Sequence, residues 1–448
     1  MLTLIKNGYV IDPLSDREGN YDILIENDKV KFVGQDISID NTSYILIDNN
    51  RKELLAKPEQ IEVIDAKGKY VMPGFIDLHV HLREPGYEYK ETIRTGAMAA
   101  AAGGYTSVCP MPNTNPATDS ADRIREVYAK AKEEAVVNVL PIGAVTLGQA
   151  GKKLTDTKAI KDAGAVALSE DGKSVMDTAL YMQGMKQAAE CGIPVFAHCE
   201  DKSLVGKGVV NAGKKAEELH LPGISNAVED IIVARDILLA KETGAQLHLC
   251  HCSTKDSVRM LGLAKKEGIK VTGEVCPHHF TLTEDDIKED DADYKMNPPL
   301  RTAEDVQALK EALRDDIVDV IATDHAPHSE EEKQKSIADA PFGIVGSETA
   351  FALTMSELVK KGYLTPGQMV EKMCVNPAKI LGIKRGCIDE GWIADLVIAD
   401  PDVEYTIDKH TFYSKGKNTP FHGRKVTGRV EYTFVAGKLV YDRDNPFK

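Results

Sequence analysis

The sequence predicts an α/β protein, a (β/α)8 TIM barrel with a small β domain formed from its two ends. Eight short apolar runs alternate with helical stretches through the middle of the chain, β-type runs with turn signals occupy both ends, and polar groups collect directly behind several of the apolar runs. Such alternation is the pattern of a parallel sheet with helical crossovers, and eight units over roughly 310 residues fill one closed barrel. At 448 residues there is chain left for a second, smaller unit. An open doubly wound sheet would alternate in the same way, but no G-x-G-x-x-G follows a strand.

Residues 1–72 hold "TLIKNGYVID", "YDILIENDKVKFVG" and "IEVIDAKGKYVMPG", broken by Asn-Gly, Asn-Asp and Lys-Gly turns and free of helical periodicity. Within them, 38–60 is polar and irregular apart from "YILI", and reads as an exposed insertion. From 385 the β pattern returns in "GWIADLVIADPDVEYTI" and "VTGRVEYTFVAGKLVYD". Because the ends of a domain often lie together, 1–72 and 385–448 are expected to form one small β-sandwich-like domain, leaving 73–384 to the barrel. The barrel strands are expected in "YVMPGFIDLHVH", "GYTSVCPM", "VVNVLPIGAV", "AGAVALS", "GIPVFAHCE", "AQLHLCHCS", "IKVTGEVCPHH" and "IVDVIATDHAPH". Helices such as "ETIRTGAMAAAAG" and "DTALYMQGMKQAAECG" lie between them.

Composition narrows the partners. Acidic residues exceed basic ones by 15 and the pI is near 5.4, which disfavours nucleic acid and anionic membranes. An anionic small substrate would need local positive charge from an arginine or a metal. The N-terminus has no basic segment followed by a long apolar run, and no apolar stretch reaches spanning length, so a cytoplasmic location is expected. Eight cysteines without framework spacing should stay reduced there, and Cys250 and Cys252 read as small buried thiols on a strand.

In such a barrel the chemistry sits where the strands end. Here the first strand ends in His79 and His81, the fourth in Ser169-Glu170-Asp171, the fifth in His198, the sixth in His251 and the eighth in Asp324. Residues two apart on a strand share a face, so His79 and His81 can serve one ion while Arg83 looks into the same space. These nitrogen and oxygen donors suit zinc or a similar divalent ion. Their number suggests two ions sharing a carboxylate, which would lower the pKa of a water and polarise an amide carbonyl. Asp324 could also carry the proton to the leaving nitrogen. His248 has the opposite parity to His251 and is expected to be structural. His278, His279 and His325 lie near the mouth without an assigned part, and His220, His410 and His422 fall in loops or the tail.

Taken together, "DLHVHLREPG", "MPNTNP", "HCED", "HLCHCSTKDSV", "EVCPHHFTLTEDD", "KMNPPLR", "ATDHAPHSEEEK", "GSETAF" and "GWIADLVIAD" resemble the sequence blocks of the cyclic amidohydrolases, and among them the dihydroorotases, in the same order along the whole chain. The resemblance implies a zinc enzyme of de novo pyrimidine synthesis that interconverts N-carbamoyl-L-aspartate and L-dihydroorotate. It implies one zinc on His79, His81 and Asp324, a second on His198 and His251, and Asp171 bridging them. Arg83, Asn113 and His328 would grip the substrate carboxylate, and Asn297 with Phe342 and Gly343 would meet the pyrimidine ring. Arginine's planar fork matches a carboxylate. Many cyclic amidohydrolases bridge their metals with a carboxylated lysine; here the fourth strand ends "ALSEDGKSV", with Lys173 past the turn. The aspartate type is therefore expected, and its shorter bridge predicts weaker occupancy of the second metal position. A homodimer is the family expectation, and association with aspartate transcarbamoylase is compatible with it. A hydantoinase, an allantoinase and a non-catalytic transcarbamoylase scaffold are the alternatives. The polar segment 326–345 is long enough for a lid.

Overall fold

A computed structural model describes residues 2–39, 44–47, 51–54 and 61–447. The first barrel strand, Phe75–Val80, pairs in parallel with Tyr105–Pro110. The third runs as two pieces, Asn138–Val139 and Gly143–Ala144. A single strand was expected over 136–145. Pro141 interrupts it because it has no N–H to give, yet Leu140 and Ile142 still donate to the Val108 and Pro110 carbonyls at 2.9 and 3.2 Å. Leu168–Ser169, Val195–Ala197, Leu247–Leu249, Val271–Val275 and Val320–Ile321 follow in unbroken parallel order. The ring closes where Val80 bridges His325 and the His81 N–H donates to the His325 carbonyl at 2.8 Å. This is the expected (β/α)8 barrel.

Its helices start and stop where their end residues dictate. Ile93–Ala102 begins at a capping box of Thr92 and Thr95 and packs Ala97, Ala100 and Ala101 inward, small enough to let it lie close to the sheet. Thr178–Cys191 is capped by Asp177 and stops at Gly192 with φ 64°. Long connections follow the fifth, seventh and eighth strands and build the mouth.

The two ends of the chain meet in one eight-stranded sheet. Its path runs Lys438–Asp442, Lys425–Val435, Leu396–Thr406, Tyr70–Pro73, Leu2–Asp12, Arg17–Glu26, Lys29–Gly34, with Ile61–Asp65 alongside Leu2–Asp12. Strand Tyr70–Pro73 passes into the barrel through Gly74, where any side chain would run into Thr106. The expected irregular insertion at 38–60 contains strands: Ser38–Ile39, Tyr44–Ile47 and Arg51–Leu54 pair antiparallel. Tyr44–Ile47 is the central strand of that sheet; the expected exposure of the segment lies outside the described residues.

Candidate metal centre

The polar strand ends converge. His79, fully buried, is placed by the first strand with its Nδ1 2.7 Å from Glu274 Oε1. Its Nε2 points to Asp171 Oδ1 at 3.4 Å and Asp324 Oδ1 at 3.5 Å. His81 Nε2 lies 3.0 Å from Asp324 Oδ1 and 3.6 Å from Asp171 Oδ2. On the other side His198 Nδ1 is 2.9 Å from His251 Nε2 and 3.4 Å from Asp171 Oδ1. Asp171 thus belongs to two groups of potential ligands, one with His79 and His81 and one with His198 and His251. Glu170 turns away, its carboxylate holding the Thr146 hydroxyl and the Thr146 N–H.

Electrostatics fit a cation. Burial opposes charge on Asp171 and Asp324, yet the surrounding imidazoles, His79 foremost, hold both carboxyls below their ordinary range. Burial would likewise strip the proton from His79, but Asp171, Asp324 and Glu274 outweigh it and hold its pKa well above the usual imidazole value. His81 is pushed down instead, by burial and then by Arg83. The decisive observation is that His79 Nε2 and Asp171 Oδ1 are buried without a hydrogen-bond partner. Buried polar atoms are nearly always satisfied, and a divalent ion takes such lone pairs. Arg83, His251 and Asp324 have φ of 62°, 33° and 47°, the left-handed region that non-glycine residues enter mainly under functional constraint.

Above the cluster opens a cavity of ≈ 170 Å³, lined by Arg83, Asn113, Asn297, Phe342 and Gly343 together with most of the ligand-type groups. Asn113 bridges its sides, Oδ1 3.0 Å from His81 Nδ1 and Nδ2 donating to Asp171 Oδ2 at 3.2 Å. Arg83 donates from Nε to the Pro327 carbonyl at 3.1 Å, and its Nη2 lies 3.2 Å from His328 Nε2. Gly343, at φ 136°, passes so close to Ala326 and His328 that a Cβ would come within 2.8 Å of Ala326. A larger cavity of ≈ 330 Å³ opens between Phe351 and Tyr441, but it gathers no comparable set of ligands; chemistry, not volume, singles out the smaller one.

Several supporting residues escaped the sequence reading. Glu274 holds His79 with one oxygen and His248 Nε2 with the other, at 3.0 Å, so His248 serves the site only through that carboxylate. Glu200 faces His198 Nε2 at 3.4 Å and accepts from Asn297 Nδ2 at 2.9 Å. The Lys90 ammonium donates to His328 Nδ1 at 3.2 Å. A carboxylate inside the apolar run "VTGEV" was the one available signal for Glu274. His325 turns its Nδ1 to the Gly346 and Ser347 N–H groups and braces the wall, outside the cluster.

A closed parallel barrel with histidine and aspartate at its strand ends, beside a terminal β sheet, defines the class as a metal-dependent amidohydrolase. L-Hydantoinase (dihydropyrimidinase) from Arthrobacter aurescens matches this architecture with a TM-score of 0.84 at 28% identity, over 98% of this chain and 96% of that one. A dihydro-orotase-like family model matches residues 68–257. The dihydroorotase of Caldanaerobacter subterraneus subsp. tengcongensis is 47% identical over 448 residues, 100% of this chain and 99% of its own. That of Bacillus cytotoxicus is 46% identical over 445 residues, 99% of each. The chain belongs to the dihydroorotase family of cyclic amide hydrolases.

Proposed function

We propose that this chain interconverts N-carbamoyl-L-aspartate and L-dihydroorotate in pyrimidine biosynthesis. The observation that carries the reading is the pairing, in one small cavity, of a double histidine–aspartate cluster with Arg83 and Asn113. His79, His81 and Asp324 would hold one zinc, His198 and His251 the other, with Asp171 shared. When bound, the metals supply a water of lowered pKa and a Lewis acid for the ring carbonyl.

The protein's own groups do the rest. In hydrolysis a water oxygen adds to the amide carbonyl carbon, the C–N bond breaks, and the nitrogen takes a proton. Asp324 accepts the proton from the water and returns it to nitrogen; ring closure reverses both transfers. Arg83, Asn113 and His328 hold the carboxylate, while Asn297, Phe342 and Gly343 orient the ring. Both His328 nitrogens are engaged, Nδ1 by the Lys90 ammonium and the Nε2–H by the Phe342 carbonyl at 2.8 Å, so its part requires that N–H to exchange the Phe342 carbonyl for the substrate carboxylate.

The same proposal divides the chain into a barrel over 73–384 and a β domain from 1–72 and 385–448. It also includes a homodimer in the cytoplasm, free to associate with aspartate transcarbamoylase; among the described residues no helix is long and apolar enough to cross a membrane. The test is hydrolysis of L-dihydroorotate with and without a zinc chelator, beside hydantoin and allantoin. Chelator-sensitive turnover of dihydroorotate alone is expected. Preference for an uncharged hydantoin would overturn the assignment of Arg83, and no turnover after zinc is restored would favour a scaffold.

A further inference from the structure

The seventh barrel strand ends at Cys276, and the short helix Pro277–Thr281 places His278 and His279 beside it. Cys276 is 0% exposed and the two histidines 2% each. Each of the three offers a ligand atom within 4.8 Å of the others. His279 is held as a ligand would be. Its Nε2–H donates to the Pro298 carbonyl at 2.8 Å, which can only accept, so the ring proton sits there and Nδ1 carries a lone pair. That Nδ1 has no hydrogen-bond partner, and neither does His278 Nε2. One buried nitrogen without a partner is rare; here two belong to rings whose centroids lie 4.2 Å apart, beside a thiol. A backbone carbonyl fixing the tautomer of a ligating histidine is the usual support of a metal site. None of the three residues lines the substrate cavity.

We propose that Cys276, His278 and His279 form a third metal site, distinct from the histidine–aspartate centre, for one thiophilic divalent ion of the zinc type. One thiolate and two imidazoles are a borderline-soft donor set, unlike the all-nitrogen-and-oxygen centre next to it. Burial, and after it the Asp324 and Glu274 carboxylates, push the Cys276 thiol up, so the ion would have to displace its proton on binding. Zinc holds its ligands at about 2.0–2.3 Å, so binding would draw the three donors closer together. Three protein donors leave one tetrahedral position for water. Through the His279–Pro298 bond, the ion would also stiffen the segment that carries Asn297.

The proposal does not depend on the reaction assigned above, because its readout is cysteine ligation. Metal-free protein is titrated with Co2+ and followed by absorption in the near ultraviolet, where imidazole and carboxylate ligands give no sulfur-to-metal band. A sulfur-to-cobalt band is expected in the wild type, absent in Cys276→Ser and kept in Cys250→Ser, a control because Cys250 lies within 4.8 Å of ligand atoms on His79 and Glu274. His279→Gln should weaken the Co2+ affinity of that band by about ten-fold or more. No band in the wild type at saturating Co2+, or a band that survives Cys276→Ser, would overturn the proposal. If Cys276→Ser does not fold, Cys250→Ser decides, because Cys276 and Cys250 are the cysteines placed with other ligand atoms among the described residues: a band kept in that variant supports the site, and a band lost there overturns it.

Discussion

The floor and the wall of the cavity are built by different means. On the floor, His79, His198, His251 and Asp324 stand at or just past the ends of neighbouring parallel strands, and buried carboxylates such as Glu274 and Glu200 fix the rings. The wall consists of loops that hold one another. Arg83 reaches the Pro327 carbonyl, Asn418 donates to the Ala326 and Gly343 carbonyls at 3.1 and 2.9 Å, and Lys333 donates to those of Gly343, Pro341 and Lys295. Strand register fixes the floor, whereas the wall depends on loop contacts that each relative can alter. A barrel shared with an L-hydantoinase at 28% identity fits that division: reaction type belongs to the floor and substrate choice to the wall.

Substitutions that damage only one of the two test the division. The largest effect is expected from Asp324→Asn, which keeps the side chain's shape and removes its ability to take a proton. Turnover should fall by about 10³-fold, the range for a general acid–base group, with metal content, read by elemental analysis, largely retained. Normal turnover would remove Asp324 from the proton path. Next is Glu274→Gln, which leaves His79 Nδ1 facing an amide in place of a carboxylate. Metal affinity should drop about 10–100-fold, and excess zinc should restore activity with an unchanged KM. A raised KM instead would mean that floor and wall are coupled.

The same division explains what the sequence allowed to be read. Period two on a strand was enough to align His79 with His81 and to separate His251 from His248. Alternation of strand and helix was enough for the barrel, because each crossover is local. Glu274 could not be assigned, since its partners His79 and His248 lie on two other strands and no spacing rule connects them. Pro141 breaks the third strand through a missing N–H, and the apolar run around it masked the break. In the wall, spacing placed Arg83 beside His81, and the other residues were legible only through resemblance; the contacts that hold the wall were not legible at all, since Arg83 and Pro327 are 244 positions apart and nothing in composition or periodicity pairs them.

Wall substitutions should change KM and leave the floor intact. Arg83→Lys keeps the charge and loses the planar fork; the loss of one charge-assisted hydrogen bond, about 1.5–3 kcal/mol, corresponds to roughly a ten- to hundred-fold rise in KM for dihydroorotate. Metal content should not change. An unaltered KM would show that the carboxylate is gripped elsewhere.

The smallest effect is expected at Lys333, whose ammonium fastens the segment 326–345 that its length marks as a potential lid. Lys333→Met removes three donors to the Gly343, Pro341 and Lys295 carbonyls. KM should rise a few-fold, as for a loss of about 1 kcal/mol. Limited proteolysis should cut the segment faster in the variant, and substrate should protect it if the loop closes. Burial pushes the Lys333 pKa down to about 8 in the folded protein, whereas the unfolded chain releases this proton near the ordinary lysine value of about 10.4. Between those values the unfolded chain binds more protons, so this group's contribution to stability rises with pH. The melting temperature of the wild type relative to Lys333→Met should therefore increase from pH 8 to pH 10. A difference that shrinks over that window would mean that the three carbonyls hold the ammonium charged more strongly than burial discharges it.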